Sequence, residues 1–280
     1  MQRETQKLCI ASICFLEKGQ PKCYIRAMSI NAHILKGDSI FTSFRSINGL
    51  VVGLCDHKAR VLSQINESYF QKRFDTKYLE DYFLKDLSEY IEQHPNHYIR
   101  VTFYPSSKDL RLGIVDLEVL FSSSVIPVKT KELKLKQMSS PYSKHHKPVK
   151  AGSYFQVLDL KREVSRNGFD DVLLSIGDMI TEASTSTVIL EKNGFFIIPM
   201  HATNLESVTL KQFVNYLTLK NIPYEERVVT KNELSHCDHL YLLNSINFIS
   251  GVRQVDLMPF KMNNNLINNF KNYLEELCRE

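Results

Sequence analysis

The chain lacks most of the signatures that announce an activity. It has no G-x-x-x-x-G-K-S/T phosphate loop, no G-x-G-x-x-G turn, no G-x-S-x-G elbow and no H-E-x-x-H helix. Ordinary nucleotide-binding, hydrolase and zinc-protease readings therefore have no foothold. Cysteine is sparse. Six in 280 residues, with no C-x-x-C pair, is far from a disulfide scaffold and reads as reduced thiols. His236-Cys237-Asp238-His239 groups ligand-type side chains, but no second pair stands at a zinc spacing, so no metal site is expected. Asn66-Glu67-Ser68 fits a glycosylation pattern that nothing else supports. Long apolar runs are missing too. Leu50 to Cys55 and Phe195 to Met200 are far too short to span a bilayer. Met1-Gln2-Arg3-Glu4 leads into no apolar signal core. The expectation is a cytoplasmic protein with no membrane partner.

What is present is ordinary for a globular chain. Apolar residues are 43% and charged residues 24%, enough to build real cores in one large domain or two medium ones. A net charge of +4 is below what a dedicated nucleic-acid binder carries, so no such partner is expected.

Residues 8–16 and 23–30 read as a hairpin about Gly19-Gln20-Pro21. Residues 40–55 hold two short strands about the turn Asn48-Gly49. Helical spacing follows over 56–70 and again over 76–93, the latter lined by Leu79, Phe83, Leu87, Tyr90 and Ile91. Residues 97–104 and 112–121 alternate as strands do. A helix at 153–167 is stopped by Gly168. Strands are expected at 171–176, 179–182, 186–190 and 195–199, turning at Gly177-Asp178 and Asn193-Gly194. A helix over 208–220, a strand near 224–229, a short helix near 231–235, a strand at 239–243 and a helix at 264–278 complete an α+β chain.

Residues 129–150 stand apart. Seven lysines against Glu132 give the segment +6, leaving −2 for the rest of the +4 chain. Ser139 to Pro148 has no period and reads as a connection, dividing the chain into 1–137, a linker at 138–149, and 150–280. The lysines read either as a solvated link or as a positive rim that draws in an anion.

Six short pieces remain, in order. They are Gly37-Asp38-Ser39-Ile40-Phe41-Thr42, His57-Lys58-Ala59-Arg60, Lys150-Ala151-Gly152-Ser153-Tyr154, Thr181-Glu182-Ala183-Ser184-Thr185-Ser186, Leu205-Glu206-Ser207-Val208-Thr209 and Leu243-Asn244-Ser245. Singly, each has a plain reading: a surface lysine, a strand acid, a helix start. As an ordered set from about Asn31 onward, they resemble the class IV pyridoxal-phosphate enzymes. That family includes branched-chain aminotransferases, D-amino-acid aminotransferases and 4-amino-4-deoxychorismate lyases.

The resemblance implies a two-domain α+β fold, with a small N-terminal α/β sandwich and a larger C-terminal α/β pseudo-barrel. It also implies a homodimer, pyridoxal 5′-phosphate as cofactor and a small anionic substrate bearing an amino group. Lys150 matches the catalytic lysine that bonds the cofactor as a Schiff base and then serves as base and acid. Glu182 matches the acid on the pyridine nitrogen, which keeps the ring protonated and electron-accepting. Arg60 matches an arginine on the cofactor phosphate. The backbone N–H groups of Val208 and Thr209 at a helix start, and the hydroxyl of Ser245, match further phosphate-side positions. Phe41, Thr42, Tyr98 and Arg100 fall at substrate-side positions.

The pattern also departs from the family. Ser207-Val208-Thr209-Leu210 stands where Gly-Ile-Thr-Arg is usual, Thr187 where asparagine is common, and Ser39 where a second glycine is common. Phe41-Thr42 and Asn244-Ser245-Ile246 lean toward the lyase, which releases pyruvate and 4-aminobenzoate in folate biosynthesis. Tyr98-Ile99-Arg100 resembles the strand of the branched-chain aminotransferases, so an aminotransferase is the alternative. The departures leave a non-catalytic member of the fold as a third reading.

Overall fold

The computed structural model describes residues 12–17, 20–25, 37, 39–67, 86–105, 117–126, 132–142 and 149–278. Strands β1 (Ser12–Glu17) and β2 (Gln20–Ile25) pair antiparallel, so Gln20 and Pro21 belong to a strand and not to the turn. The outer ends of the expected 8–30 hairpin lie outside the described residues.

A four-stranded sheet runs in the order β4-β3-β5-β6. Its strands are β3 (Ile40–Ile47), β4 (Leu50–Val51), β5 (His97–Pro105) and β6 (Leu117–Val125). Asn48 and Gly49 take φ of 51° and 81°, the two left-handed residues a tight hairpin needs. The strand expected to reach residue 55 ends at Val51, because Gly53 at φ 66° swings the chain into α1 (Leu54–Glu67). Helix α2, residues 86–93, is the described part of the expected 76–93 helix. Strand β6 runs past the expected end at residue 121 to Val125, while residues 112–116 of the expected strand lie outside the described residues. Its register sets Leu117 opposite Pro105 and Val125 opposite His97, which carries Ser122, Ser123 and Ser124 into the sheet. Phe44, Val61, Ile65, Leu87, Ile99 and Phe103 form the core between this sheet and α1 and α2.

The third sheet has nine strands in the order β12-β11-β10-β13-β14-β7-β8-β9, with β15 on β14. These are β7 (Leu133–Ser139), β8 (Asp171–Ile176), β9 (Met179–Ala183), β10 (Thr187–Lys192) and β11 (Phe195–Pro199). They continue with β12 (Tyr224–Arg227), β13 (His239–Asn244), β14 (Phe248–Val255) and β15 (Met258–Pro259). Period-2 alternation splits their side chains between two cores. Val188, Leu190, Leu240 and Leu242 share an inner core with Ile180 of β9, Leu135 of β7 and Ile197 of β11. One core fed from both ends of the order means that the sheet curls on itself, into the half-barrel of an α+β fold. Ile189, Tyr241 and Leu243 face the other way, under α4 (Val208–Leu219) and α5 (Asn264–Leu277). Helix α3 (Phe155–Arg166) packs Val157 and Val164 on Val172 and Leu174 of β8.

Three strands of this sheet, β7, β14 and the two-residue β15, were not legible. β7 hides in the lysine-rich segment, yet it pairs with β8 and β14, and so lies across the boundary expected at residue 137. Lys136 pairs with Asp256 at 2.8 Å, so part of the +6 serves the fold. Lys144 and Lys147 lie outside the described residues. β14 is interrupted in sequence by Gly251, where a Cβ would collide with Met262.

Candidate active site

Main-chain bonds from two elements fix Lys150. Phe41 N–H donates to the Lys150 carbonyl at 2.8 Å, and Gly152 N–H donates to the Ser39 carbonyl at 2.7 Å. Lys150 N–H donates to Gln64 Oε1 of α1 at 3.2 Å. The Lys150 amine then sits 5.1 Å from the centroid of the Phe41 ring and 5.8 Å from that of Tyr154. A Cβ on Gly152 would strike Ser39 Oγ, so the serine that replaces a usual glycine fills the space Gly152 leaves. Gly152→Ala is expected to destabilise the fold by about 1–3 kcal/mol, with Ser39→Gly in the same chain recovering part of it. Denaturant midpoints read this out, and an unaffected single variant would show that the contact is slack.

The lysine enters a cavity of about 400 Å³. Seven of the residues foreseen from sequence line it: Phe41, Arg60, Tyr98, Arg100, Lys150, Glu182 and Ser245. Three do not. Thr42 is buried beneath the cavity, with Oγ1 2.8 Å from His57 Nδ1 and accepting from Arg60 Nη2 at 2.9 Å. Its expected contact with substrate is thus replaced by a contact with Arg60. Thr209 Oγ1 lies 3.1 Å from Ser245 Oγ, and Val208 packs on the bare face of Gly53. Ser207, standing for the usual glycine, caps α4 by accepting from Leu210 N–H at 3.2 Å. Leu210, standing for the usual arginine, packs against the outer core.

Other residues complete the wall: Tyr154, Leu158, Ser184, Thr185, Ser186, Thr187, Asn244, Ile246 and Asn247. Asn244 ties two of the loops together. Its Oδ1 accepts from the N–H groups of Ile246 and Asn247 at 3.0 and 2.8 Å, and its Nδ2 donates to Ser186 Oγ at 2.9 Å. An asparagine closing a strand and opening a turn was the available signal for it.

The electrostatics are those of a desolvated pair of functional groups. Burial, and then the Arg60 charge, pull the Lys150 amine down to about 7. Burial pushes the Glu182 carboxyl up to about 7, against a bond from Leu205 N–H at 3.4 Å and the Lys150 charge. Burial also raises the Tyr154 phenol well above its ordinary value. Arg100 lies on the Phe41 ring, Cζ 3.6 Å from its centroid, with Nε donating to Thr102 Oγ1 at 3.2 Å. Arg60 is 4% exposed, and its hydrogen bonds run to neutral groups, the Glu206 carbonyl at 3.0 Å and Thr42 Oγ1. A buried guanidinium with only neutral partners is costly, and it fits an incoming dianion such as a phosphate.

Residues 39–255 match the sequence profile of the amino-transferase class IV family. The chain belongs to the amino-transferase class IV family. Members of this class IV family are pyridoxal-phosphate-dependent enzymes. A relative named "Probable branched-chain-amino-acid aminotransferase", from Thermotoga maritima, is 24% identical over 164 residues, 58% of this chain and 58% of its own length. The D-alanine aminotransferase of Bacillus licheniformis is 21% identical over 79% of this chain and 80% of its own. Among solved structures, the 4-amino-4-deoxychorismate lyase of Pseudomonas aeruginosa superposes with a TM-score of 0.74 at 16% identity. That superposition covers 90% of this chain and 96% of that one, and shows a shared fold. Among the described residues no helix is long and apolar enough to cross a membrane, and no three metal-ligating side chains gather.

Proposed function

We propose that this class IV chain is a pyridoxal-phosphate-dependent 4-amino-4-deoxychorismate lyase, releasing pyruvate and 4-aminobenzoate. One observation carries the choice of reaction. Around Lys150 the cavity sets Arg100, the Ser184 to Thr187 turn, Asn244 and Asn247 among the apolar side chains of Phe41, Leu158, Leu205, Leu243 and Ile246. A ring bearing two carboxylates can meet both the apolar surface and the Arg100 cation, whereas a branched aliphatic side chain brings no charge to Arg100. The likeness in fold to a lyase supports the same reading.

The donor set fits the cofactor. Arg60, Ser245 and the first turn of α4 would hold its phosphate, Glu182 its ring nitrogen, and Lys150 its aldehyde carbon. Bound there, pyridoxal phosphate supplies an electron sink conjugated with the substrate nitrogen. With Lys150 Nζ brought down to about 7, a large fraction of it is neutral near pH 7 and would take the proton from the ring carbon that carries that nitrogen. The enolpyruvyl oxygen leaves the neighbouring carbon, the ring becomes aromatic, and the ammonium of Lys150 returns a proton to the departing group as pyruvate. Arg100, over the Phe41 ring and hydrogen-bonded to Thr102 and Tyr98, would orient a substrate carboxylate. Tyr98 and Arg100 side by side favour the alternative, a branched-chain or D-amino-acid aminotransferase. Supplying 4-amino-4-deoxychorismate without any keto acid is expected to yield 4-aminobenzoate. No such product, together with keto-acid-dependent deamination of leucine or D-alanine, would select the aminotransferase. No turnover in either assay would select the non-catalytic reading.

The same reading carries a cytoplasmic homodimer that acts on a small anionic substrate bearing an amino group. We also place the division between the two units ahead of Leu133, since β7 pairs within the nine-stranded sheet.

A further inference from the structure

Beneath the cavity runs a buried chain of three side chains. Thr42 and His57 are fully buried and Arg60 nearly so. Arg60 Nη2 donates to Thr42 Oγ1 at 2.9 Å, Thr42 Oγ1 lies 2.8 Å from His57 Nδ1, and Arg60 Nη2 lies 3.4 Å from that same nitrogen. A guanidinium only donates. Thr42 Oγ1 can donate or accept, but Arg60 Nη2 only donates, so the arrangement favours an accepting Nδ1 with the imidazole proton on Nε2. That sets the direction of the whole chain. The Thr42 hydroxyl donates to His57 and turns a lone pair toward Arg60. The other end of the guanidinium, Nη1, is held by the Glu206 carbonyl at 3.0 Å, just ahead of α4, so the plane of the fork is set from both sides.

The far side of the imidazole has nothing to do. Among the described residues His57 Nε2 is buried without a hydrogen-bond partner, and the ring lies against Phe44 at 5.1 Å between centroids. Burial and the Arg60 charge keep the ring neutral. A buried N–H without a partner is destabilising, and a carbon side chain of similar size would avoid it. The imidazole therefore serves through its Nδ1 edge.

We infer that His57 is a positioning residue that acts through Thr42 to aim the Arg60 guanidinium at the phosphate end of the cofactor. This assignment rests on Arg60 being the phosphate ligand. It moves Thr42 from the substrate side to the phosphate side of the site, and it gives His57 a task that neither substrate nor cofactor contact provides.

The test compares pyridoxal phosphate with pyridoxal, which lacks only the phosphate, by absorbance titration of the purified chain. The wild-type chain is expected to prefer pyridoxal phosphate. His57→Leu and Thr42→Val are each expected to weaken pyridoxal phosphate by about tenfold or more and pyridoxal by less than about twofold. His57→Asn, whose amide oxygen can accept near the Nδ1 position, and Thr42→Ser are expected to recover most of the loss. The double variant His57→Leu with Thr42→Val should bind no more weakly than Thr42→Val alone, because both break one chain. Equal losses for the two ligands, additive losses, or no loss would overturn the assignment. Should His57→Leu fail to fold, the contrast between Thr42→Val and Thr42→Ser decides alone. A wild-type chain with no preference for the phosphorylated ligand would instead remove the phosphate reading of Arg60 itself.

Discussion

Replacing Lys150 by alanine is expected to abolish covalent capture of pyridoxal phosphate and to lower turnover on the order of 10³-fold or more. Lys150 is the lysine among the residues that line the cavity. Lys161 of α3, whose amine lies 3.4 Å from Ser184 of the cavity wall, is instead held by Asp171 at 2.7 Å. A protonated amine is no nucleophile, and an ordinary lysine is protonated at neutral pH. Burial and Arg60 bring Lys150 down to about 7, so a large fraction of the amine is free where the chemistry runs. The variant should still fold, because the bonds that pin residue 150 to β3 and α1 are made by its main chain and survive truncation. Loss of activity in a folded variant is then chemical. Borohydride reduction followed by peptide mass analysis is expected to place the adduct on Lys150 in the wild-type chain. An adduct that persists at another lysine in Lys150→Ala would remove Lys150 from its role. Lys220→Ala, an exposed residue at the end of α4, serves as the control that should keep the adduct.

Much of this arrangement was legible in the sequence, and where it was not the reasons are physical. Strands 171–176 and 195–199 were legible to their ends, because a short apolar run meets a glycine turn at each, Gly177 and Gly194. β7 was missed because its lysines alternate with Leu133 and Leu135 inside a segment whose charge reads as solvent-exposed. Asp256, more than a hundred residues away in sequence, pairs with Lys136. β14 carries Gly251 in its interior, where close contact with Met262 leaves no room for a Cβ, a tertiary requirement with no local pattern in sequence. At the site, Lys150, Glu182, Arg60 and Arg100 were singled out through the resemblance to the class IV enzymes, and all four line the cavity. Thr42 was placed on the wrong side of the cavity floor. In a strand the side chains alternate faces, and Phe41 and Thr42 cannot both point into the cavity. Phe41 lines it, so Thr42 turns inward toward His57.

Without cofactor, the Lys150 and Glu182 pair is expected to give its smallest contribution to stability near pH 7, with stability rising toward both acid and alkali. The sign follows from proton binding. Glu182 sits at about 7 when folded, against an ordinary 4.5, because burial disfavours its charge. Between those values the folded chain holds a proton that the unfolded chain has released, so stability falls as pH rises through that window. Lys150 sits at about 7 when folded, against an ordinary 10.5. Between those values the unfolded chain holds a proton that the folded chain lacks, so stability rises with pH. The two windows meet near neutrality, where each group is about half ionised in a site that disfavours its charge. Each limb has its own control. Glu182→Gln is expected to flatten the acid limb and leave the alkaline one. Lys150→Met is expected to flatten the alkaline limb and, by removing a cation that favours the Glu182 carboxylate, to carry the acid limb to higher pH. Denaturant unfolding at about pH 5, 7 and 9 separates these cases. If the difference curves between wild type and each variant are flat with pH, the two groups are solvated, and the desolvated amine on which the Lys150 chemistry depends is absent.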